Sequence, residues 1–528
     1  MPIASPQPPI EIPNQGVFEF MFGDIASDDE DRIAVIDIAD GSETSYAHLR
    51  AYIESVAGGL AHKGIGIGDV VALHCPNSLA FIIYAHAVWR LGAVLTPISL
   101  LATPEAITSQ IQESDAKMLV TLAALGDGTA EGAHAAGLSD EQIHHLDSHG
   151  GLKQMLAERR HAPKNISFDP ATHDAVLPFS SGTTGTPKGV CLTHRNLVAN
   201  VYQAIDQNLV GKDDTVFGIL PFFHIYGLTA LANLTLKQRA TLVTQPRFEF
   251  QSFLETHQKY NVTFTFIAPP IAVLLAKHPL VDKYDLSSLR GVLSGAASLD
   301  SELANAVEER LGVHVQQGFG MTETSPVTHL NLNKDLARGS IGQPVANTEH
   351  RLVDIDTGEE VGVPTEGQSE VGELWVRGPQ IMKQYLNNPA ETANILLEDG
   401  WLCTGDLAAY DEHGNVFIVD RLKEVIKYKG YQVPPAELEA MLLTHPEVAD
   451  VAVVGVTRDD GLEIPKAFVV RQHNAHATED DMMAFVAERV APYKKVRELE
   501  FVDQIPKSST GKILRRELKA KDKAAHPA

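Results

Sequence analysis

Positive charge is in short supply. The 528-residue chain carries 43 Lys and Arg against 68 Asp and Glu, a net −25 with its histidines neutral. So acidic a chain lacks the clustered cations that displace counterions from a phosphate backbone, which excludes general nucleic-acid binding. Cysteine is scarcer still. Cys75, Cys191 and Cys403 lie far apart, form no CxxC pair and cannot make a disulfide framework, so they read as reduced thiols in a reducing compartment. Long apolar runs are missing too. The most apolar stretch, Phe264 to Ala276, is broken by Pro269 and Pro270 and falls short of the ~20 residues of a membrane helix. The opening MPIASPQPPIEIPNQG has neither a charged n-region nor an apolar h-region and reads as a Pro-rich extended lead-in. The closing AAHPA carries no peroxisomal tripeptide and no prenylation Cys. A cytoplasmic setting is expected.

What is present is an ordinary globular composition, 44% apolar and 21% charged, at a length that predicts three or four structural units. Short β-rich runs alternate with helical ones, the pattern of α/β layers. Expected strands are Ile33–Ile38, Val70–His74, Met118–Thr121, Val216–Leu220, Thr241–Thr244 and Thr263–Ile267. Helices are expected over Ser78–Leu91 and over Ser301–Leu311, the latter between an Asp300 cap and Gly312. The segment from Gly126 to Phe168 is polar and reads as a surface excursion, and its His144-His145-Leu146-Asp147-Ser148-His149 as loop rather than metal site. No internal repeat is found. A Gly-punctuated β-rich stretch from Gly372 to Val419 leads to a boundary near Asp420. Residues 421–528 hold 18 Lys/Arg and 17 Asp/Glu, a balance of +1, so residues 1–420 carry −26. The expected organisation is therefore a large acidic unit, 1–420, of layered α/β subdomains plus a β-rich subdomain, followed by a small α+β unit, 421–528.

Leu177–Val190, LPFSSGTTGTPKGV, runs an apolar strand into a loop of Ser180, Ser181, Gly182, Thr183, Thr184 and Gly185, closed by Pro187, Lys188 and Gly189. Glycines let N–H groups converge, hydroxyls add donors and Lys188 adds charge, so the loop suits phosphate oxygens. It is not a Walker loop, since Lys188 follows Pro187 and precedes Gly189. That argues against an ATP-to-ADP phosphotransferase. The absence of Gly-x-Ser-x-Gly likewise argues against a serine hydrolase.

SSGTTGTPKG resembles the phosphate loop of the adenylate-forming superfamily of acyl- and aryl-CoA synthetases, peptide-synthetase adenylation domains and luciferases. The segments GFGMTE (318–323), TGDL (404–407), DRLKEVIKYKGYQVPPAELE (420–439) and PKSSTGKILRREL (506–518) follow in that superfamily's order, extending the likeness from about residue 20 to 518. The resemblance implies ATP, Mg²⁺ and coenzyme A. It assigns the nucleotide to Ala296, Gln317, Gly318, Phe319 (stacking on adenine), Gly320 and Thr322, with the loop residues above. Glu323 would serve Mg²⁺, Asp406 the ribose hydroxyls and Arg421 ribose or phosphate. Lys512 would bridge the carboxylate and the α-phosphate. The small domain would be mobile about Lys423, presenting Lys427, Lys429, Gly430 and Gln432 in a second, thioester-forming pose. A Lys in a polar turn of this kind also resembles sites of reversible acetylation, so an acetyltransferase and deacetylase acting on Lys512 are expected partners.

Within Pro221–Leu228, PFFHIYGL, amino-acid-activating relatives tend to carry an Asp where His224 stands. A histidine cannot pair with an α-ammonium, so an acid without one is favoured; a helix-capping His is the structural alternative. FFHIYGL and SGAASL (294–299) look most like 4-coumarate–CoA ligases. Tyr226, Gly295, Ala296, Pro326 and Val327 would then form the acid pocket, with Tyr226 placed to meet a ring hydroxyl. Medium- and long-chain acyl-CoA synthetases share much of this, so an alkyl acid stays open. Phe319 departs from the Tyr usual in the plant enzymes, which keeps stacking and removes a phenol hydrogen bond.

Overall fold

The computed structural model describes residues 2–180, 187–297, 299–332, 337–429, 431–458, 462–472, 475–508 and 512–525. Two large sheets form the body. One has nine strands with a parallel centre, in the order Gln343–Pro344, Val327–Asn331, His314–Gly320, Gly291–Ser294, Phe264–Ile267, Thr215–Gly218, Thr241–Thr244, Ile33–Asp37 and Ser42–Ser45. The other has eight, with Asp174–Val176, Val94–Pro97, Val70–Leu73, Ala116–Thr121 and Ile143–His145 running parallel from its middle to one edge. The expected strands are all present, shifted by a residue or two at their ends.

Helices fill the space between these sheets. In Leu79–Arg90 every residue from Phe81 to Trp89 is buried, the composition of a helix covered on all sides. Ser78 starts it by accepting from Phe81 N–H, and Asp37 adds a bond from Leu79 N–H at 2.9 Å. Trp89 satisfies its indole N–H on the Ala175 carbonyl at 2.8 Å. Truncating so large a buried ring costs about 3–5 kcal/mol. Ser301–Leu311 runs as expected, with Asp300 accepting from Glu302 and Leu303 N–H and Gly312 left-handed at φ 69°.

The Gly126–Phe168 segment corrects an expectation. It contains helices Asp127–Ala135 and Leu152–Glu158, and Ile143–His145 is a strand of the eight-stranded sheet. His144 is buried and its Nε2 meets the Tyr84 hydroxyl at 2.8 Å. The lead-in is extended, and Ile3–Ala4 joins the edge of a six-stranded antiparallel sheet with Glu349–Val353, Glu360–Val361, Gly372–Arg377, Leu402–Tyr410 and Val416–Arg421. Beyond Arg421 the chain builds on a separate core. Hairpin Ile426–Tyr428/Tyr431–Val433, helices Pro435–Leu443 and Glu479–Ala487, and strands Val448–Thr457, Glu463–Arg471 and Glu498–Phe501 share a cluster that includes Ile426, Leu438, Val453 and Leu499. Among the described residues no helix is long and apolar enough to cross a membrane, and the three cysteines are free, Cys75 and Cys191 buried.

Candidate functional site

The sheet layers bring several of the expected residues to one place. Phe179–Ser180 pairs with Lys188 and Gly189, bracketing the Ser/Thr/Gly loop. Ser181, Gly182, Thr183, Thr184 and Gly185 lie outside the described residues. Lys188 ion-pairs with Glu391, and its ammonium stands 5.1 Å from the centroid of the Tyr385 ring. Glu323 sits in the turn Thr322–Thr324 that follows strand His314–Gly320. It is buried, and its Oε1 accepts from the Tyr385 hydroxyl at 2.8 Å and from Ser180 Oγ at 3.4 Å. A Cβ at Gly320 would collide with the Pro326 carbonyl, so only glycine lets the strand turn here.

Gly318, Phe319 and Gly320 end that strand partly exposed, with Phe319 leaning on the main core. Ala296 beside them is left-handed at φ 72°, a strained conformation for a residue with a Cβ and one that tends to cluster at functional sites. Gln317 spends both ends of its amide on scaffold, accepting from Leu299 N–H at 2.9 Å and donating to the Ser340 carbonyl at 3.1 Å. On the six-stranded sheet, Asp406 and Arg421 are direct cross-strand partners with a 2.9 Å ion pair. Burial raises the Asp406 pKa, opposed by Arg421 and Lys512. Its Oδ2 is buried without a partner, an acceptor left over for a hydroxyl donor.

Lys512 reaches this cluster from the other end of the chain. Its turn is closed by Lys512 N–H on Ser508 Oγ at 3.2 Å and Ser508 N–H on the Lys512 carbonyl at 2.8 Å. Burial and the Arg421 guanidinium push its pKa from 10.5 down to about 8, against the pull of Asp406, Glu424 and Glu323. Burial and the Lys512 charge hold His224 at about 4, so its ring is neutral.

On the acid side, His224 Nδ1 accepts from the N–H of Tyr226, the first residue of the helix Tyr226–Asn233, at 3.2 Å; the N-cap position itself is Ile225. That helix has the widened π geometry often met at functional sites. Tyr226 is buried; its ring stands edge-on to Phe266, 6.2 Å between centroids at 79°, and its hydroxyl donates to the Leu293 carbonyl at 3.4 Å. A Cβ on Gly295 would fall 2.9 Å from Tyr226 Cζ and Oη. The space beside Gly295 is thus taken by Tyr226 itself. Pro326 precedes Val327, a buried residue whose N–H and C=O are both held by Asn200, at 3.0 and 2.7 Å.

Lys423, Lys427 and Lys429 are exposed and make no described contact with Lys512, Asp406 or His224. Lys423 lies near enough to Glu391 to help lower that carboxyl's pKa. Lys427 stands opposite Gln432 in the hairpin and gives its N–H to Glu463 at 2.8 Å. Lys429 is left-handed at φ 51°. Gly430 and the Gln432 side chain lie outside the described residues. Sequence reasoning missed Tyr385, Glu391 and Asn200. Each belongs to no motif, and each matters through a partner far away in the chain.

An acidic turn, a strained loop, a buried Asp–Arg pair and an ammonium from the C-terminal portion converge as in a nucleotide-using enzyme. The AMP-binding enzyme profile matches residues 22–386 and the profile of its C-terminal domain residues 437–512. The chain belongs to the AMP-binding enzyme family. It is 40% identical to a 4-coumarate–CoA ligase of rice, Oryza sativa subsp. japonica, over 99% of this chain and 97% of that one. It is also 40% identical to one of tobacco, Nicotiana tabacum, over 98% and 97%. With these relatives the chain is an acid–thiol ligase working through an acyl-adenylate, with ATP and CoA as co-substrates. Among solved structures, ATP-bound MatB from Rhodopseudomonas palustris is 28% identical, over 97% of this chain and 100% of that one, at TM-score 0.88. The apo structure of the same protein, at equal coverage, superposes at 0.77. The arrangement seen here is the nearer to the ATP-bound one.

Proposed function

We propose that the acid is 4-coumarate or another hydroxycinnamate. The observation carrying this is the likeness to 4-coumarate–CoA ligases along the whole chain, joined to a pocket that holds neutral His224 where an α-ammonium would need a carboxylate. A medium- or long-chain fatty acid is the second reading, favoured by the apolar surroundings Phe266, Leu293 and Val327.

In the proposed first step the substrate carboxylate attacks the α-phosphorus of ATP and pyrophosphate leaves. Two anions must approach, and the pentacoordinate transition state gathers more charge on its oxygens. The Lys512 ammonium bridges carboxylate and α-phosphate, the 180–185 loop and Lys188 hold phosphate oxygens, and Thr322 donates to a phosphate. Asp406 Oδ2 and Arg421 take the ribose, and Phe319, Ala296 and Gly318 flank the base. Glu323, buried and fixed by Tyr385, fits Mg²⁺, which is commonly bound by one or two carboxylates and substrate phosphates. When bound there, Mg²⁺ would supply charge to offset that of the departing pyrophosphate.

The second step needs a different surface. Lys512 lies beside Asp406 and Arg421 in the present arrangement, so the small unit, 421–528, is proposed to swing about Lys423 and bring Lys427, Lys429, Gly430 and Gln432 to the adenylate. The CoA thiol then attacks the carbonyl and AMP leaves. A cytoplasmic, reducing setting suits the three free cysteines. Reversible acetylation of Lys512 would remove the bridging charge and stop the first step. Mass spectrometry finding Lys512 unmodified under all growth conditions would refute that regulation.

The test is CoA-dependent AMP release with 4-coumarate, cinnamate, benzoate, octanoate and palmitate side by side. Preference for hydroxycinnamates supports the pocket drawn from His224 and Tyr226, while preference for an alkyl acid replaces it by the second reading. Lys512→Ala is expected to slow adenylation ~10²–10³-fold yet to keep thioester formation from supplied adenylate, and Lys423→Pro to do the reverse. Equal loss of both half-reactions in both variants refutes the two-pose mechanism.

A further inference from the structure

His329, on strand Val327–Asn331, stands opposite Phe319 on strand His314–Gly320. Their rings meet edge to face, 6.0 Å between centroids at 68°, so His329 backs the side chain on which the base would stack. His329 Nε2 lies 2.6 Å from Nδ1 of His350, and the two imidazoles stack at 4.9 Å and 10°. Both are fully buried. His350 belongs to strand Glu349–Val353 of the six-stranded sheet, and its ring lies 5.7 Å from that of Tyr410, on the strand that carries Asp406. The hydrogen bond therefore joins the sheet holding Phe319 to the sheet holding the Asp406–Arg421 pair.

The proton order follows from the far end. The Thr328 hydroxyl donates to the Phe319 carbonyl at 3.4 Å, so its only proton is spent. We assign His329 Nδ1–H as the donor to it, 3.0 Å away, because the reverse order would strand a buried N–H at His350 Nε2. His329 Nε2 is then bare and accepts from His350 Nδ1–H. His350 Nε2 is left as a lone pair, buried with no partner. Burial holds both rings below the usual histidine range, so a neutral, one-way chain is the form present near pH 7. Two apolar side chains could fill this volume without desolvating two imidazoles. What the imidazoles add is direction: one ring orientation and one sheet-to-sheet register satisfy the chain.

We propose that His350 and His329 are positioning residues of the nucleotide site, fixing the tilt of the Phe319 ring relative to the ribose pair Asp406–Arg421. This rests on reading Phe319 and Asp406 as nucleotide contacts. The test is steady-state AMP release by the full chain with ATP and acid varied separately. His350→Leu is expected to raise KM for ATP about tenfold and leave KM for the acid and kcat within about twofold. His350→Asn places an amide nitrogen where Nδ1 was and should return KM for ATP to within about threefold of the unaltered enzyme. Leu and Asn variants behaving alike, or both KM values rising together, would overturn the proposal. Nitrogen NMR of the unaltered enzyme needs no variant to fold and should show both rings protonated at Nδ1. An Nε2–H signal for His329 would also overturn it. An unaltered enzyme that releases no AMP with any acid sinks the ligase reading instead, and is recognised before variants are compared.

Discussion

Adding ATP to the empty enzyme at pH 8 should draw protons out of solution. Lys512 is held at about 8 by burial and by Arg421, so keeping its ammonium charged in the empty site costs about 3 kcal/mol relative to water. The sign follows: this is a base whose pKa is lowered in the docked arrangement. The penalty on docking is therefore full below about pH 8 and fades as pH rises toward 10.5, where the exposed amine would also be neutral. Triphosphate beside Lys512 and Arg421 replaces repulsion by attraction and returns the pKa above ~10. Proton uptake on binding is then about 0.1 at pH 7, about 0.5 at pH 8 and about 0.8 at pH 9. Calorimetric titration in buffers of different ionisation enthalpy reads these fractions directly. The uptake should vanish in Lys512→Ala, and kcat/KM for ATP should fall above about pH 8 while kcat stays level to about pH 10. Equal uptake in the enzyme and in Lys512→Ala, or no uptake in either, would refute the docking of Lys512 beside Arg421 before ATP binds.

Gly295→Ala drives a methyl group into the Tyr226 ring; overpacking costs about 1–3 kcal/mol, and KM for the acid should change about tenfold with KM for ATP unmoved. Asn200→Ala leaves the N–H and C=O of buried Val327 without partners. A loss of about 2 kcal/mol in urea unfolding is expected, with KM for the acid rising more than KM for ATP. Tyr385→Phe removes the 2.8 Å bond that fixes Glu323, and a Mg²⁺ titration of AMP release should shift about three- to tenfold to higher concentration. An unchanged titration would separate Glu323 from the metal.

Local signals were readable where both ends of an element carry their own chemistry. Asp300 and Gly312 bound Ser301–Leu311 to the residue, because a carboxylate cap and a left-handed glycine act within one turn. Lys512, Asp406, Arg421 and Glu323 were found through motif segments, and the structure brings these four together. His144 was not legible. It looks like part of a polar loop because its partner, Tyr84, lies 60 residues away. The space beside Gly295 was legible as small residues but not as already filled, since the filling ring comes from Tyr226 on another element. The π geometry of Tyr226–Asn233 left no trace in its composition, as an apolar run suits an α-helix equally well.

Strand order also dictates a schedule for synthesis. Strand Ile33–Asp37, with Ala34, Val35 and Ile36 buried in the finished enzyme, pairs only with its hairpin neighbour Ser42–Ser45 until Thr241–Thr244 has been made. About 200 residues separate the two strands, so at translation rates of 5–20 residues per second the wait is ~10–40 s. For that interval a sticky edge sits on the nascent chain with its permanent partner still unborn. Fragments ending before Thr241 keep that edge open for good, and are expected to aggregate where the full chain does not.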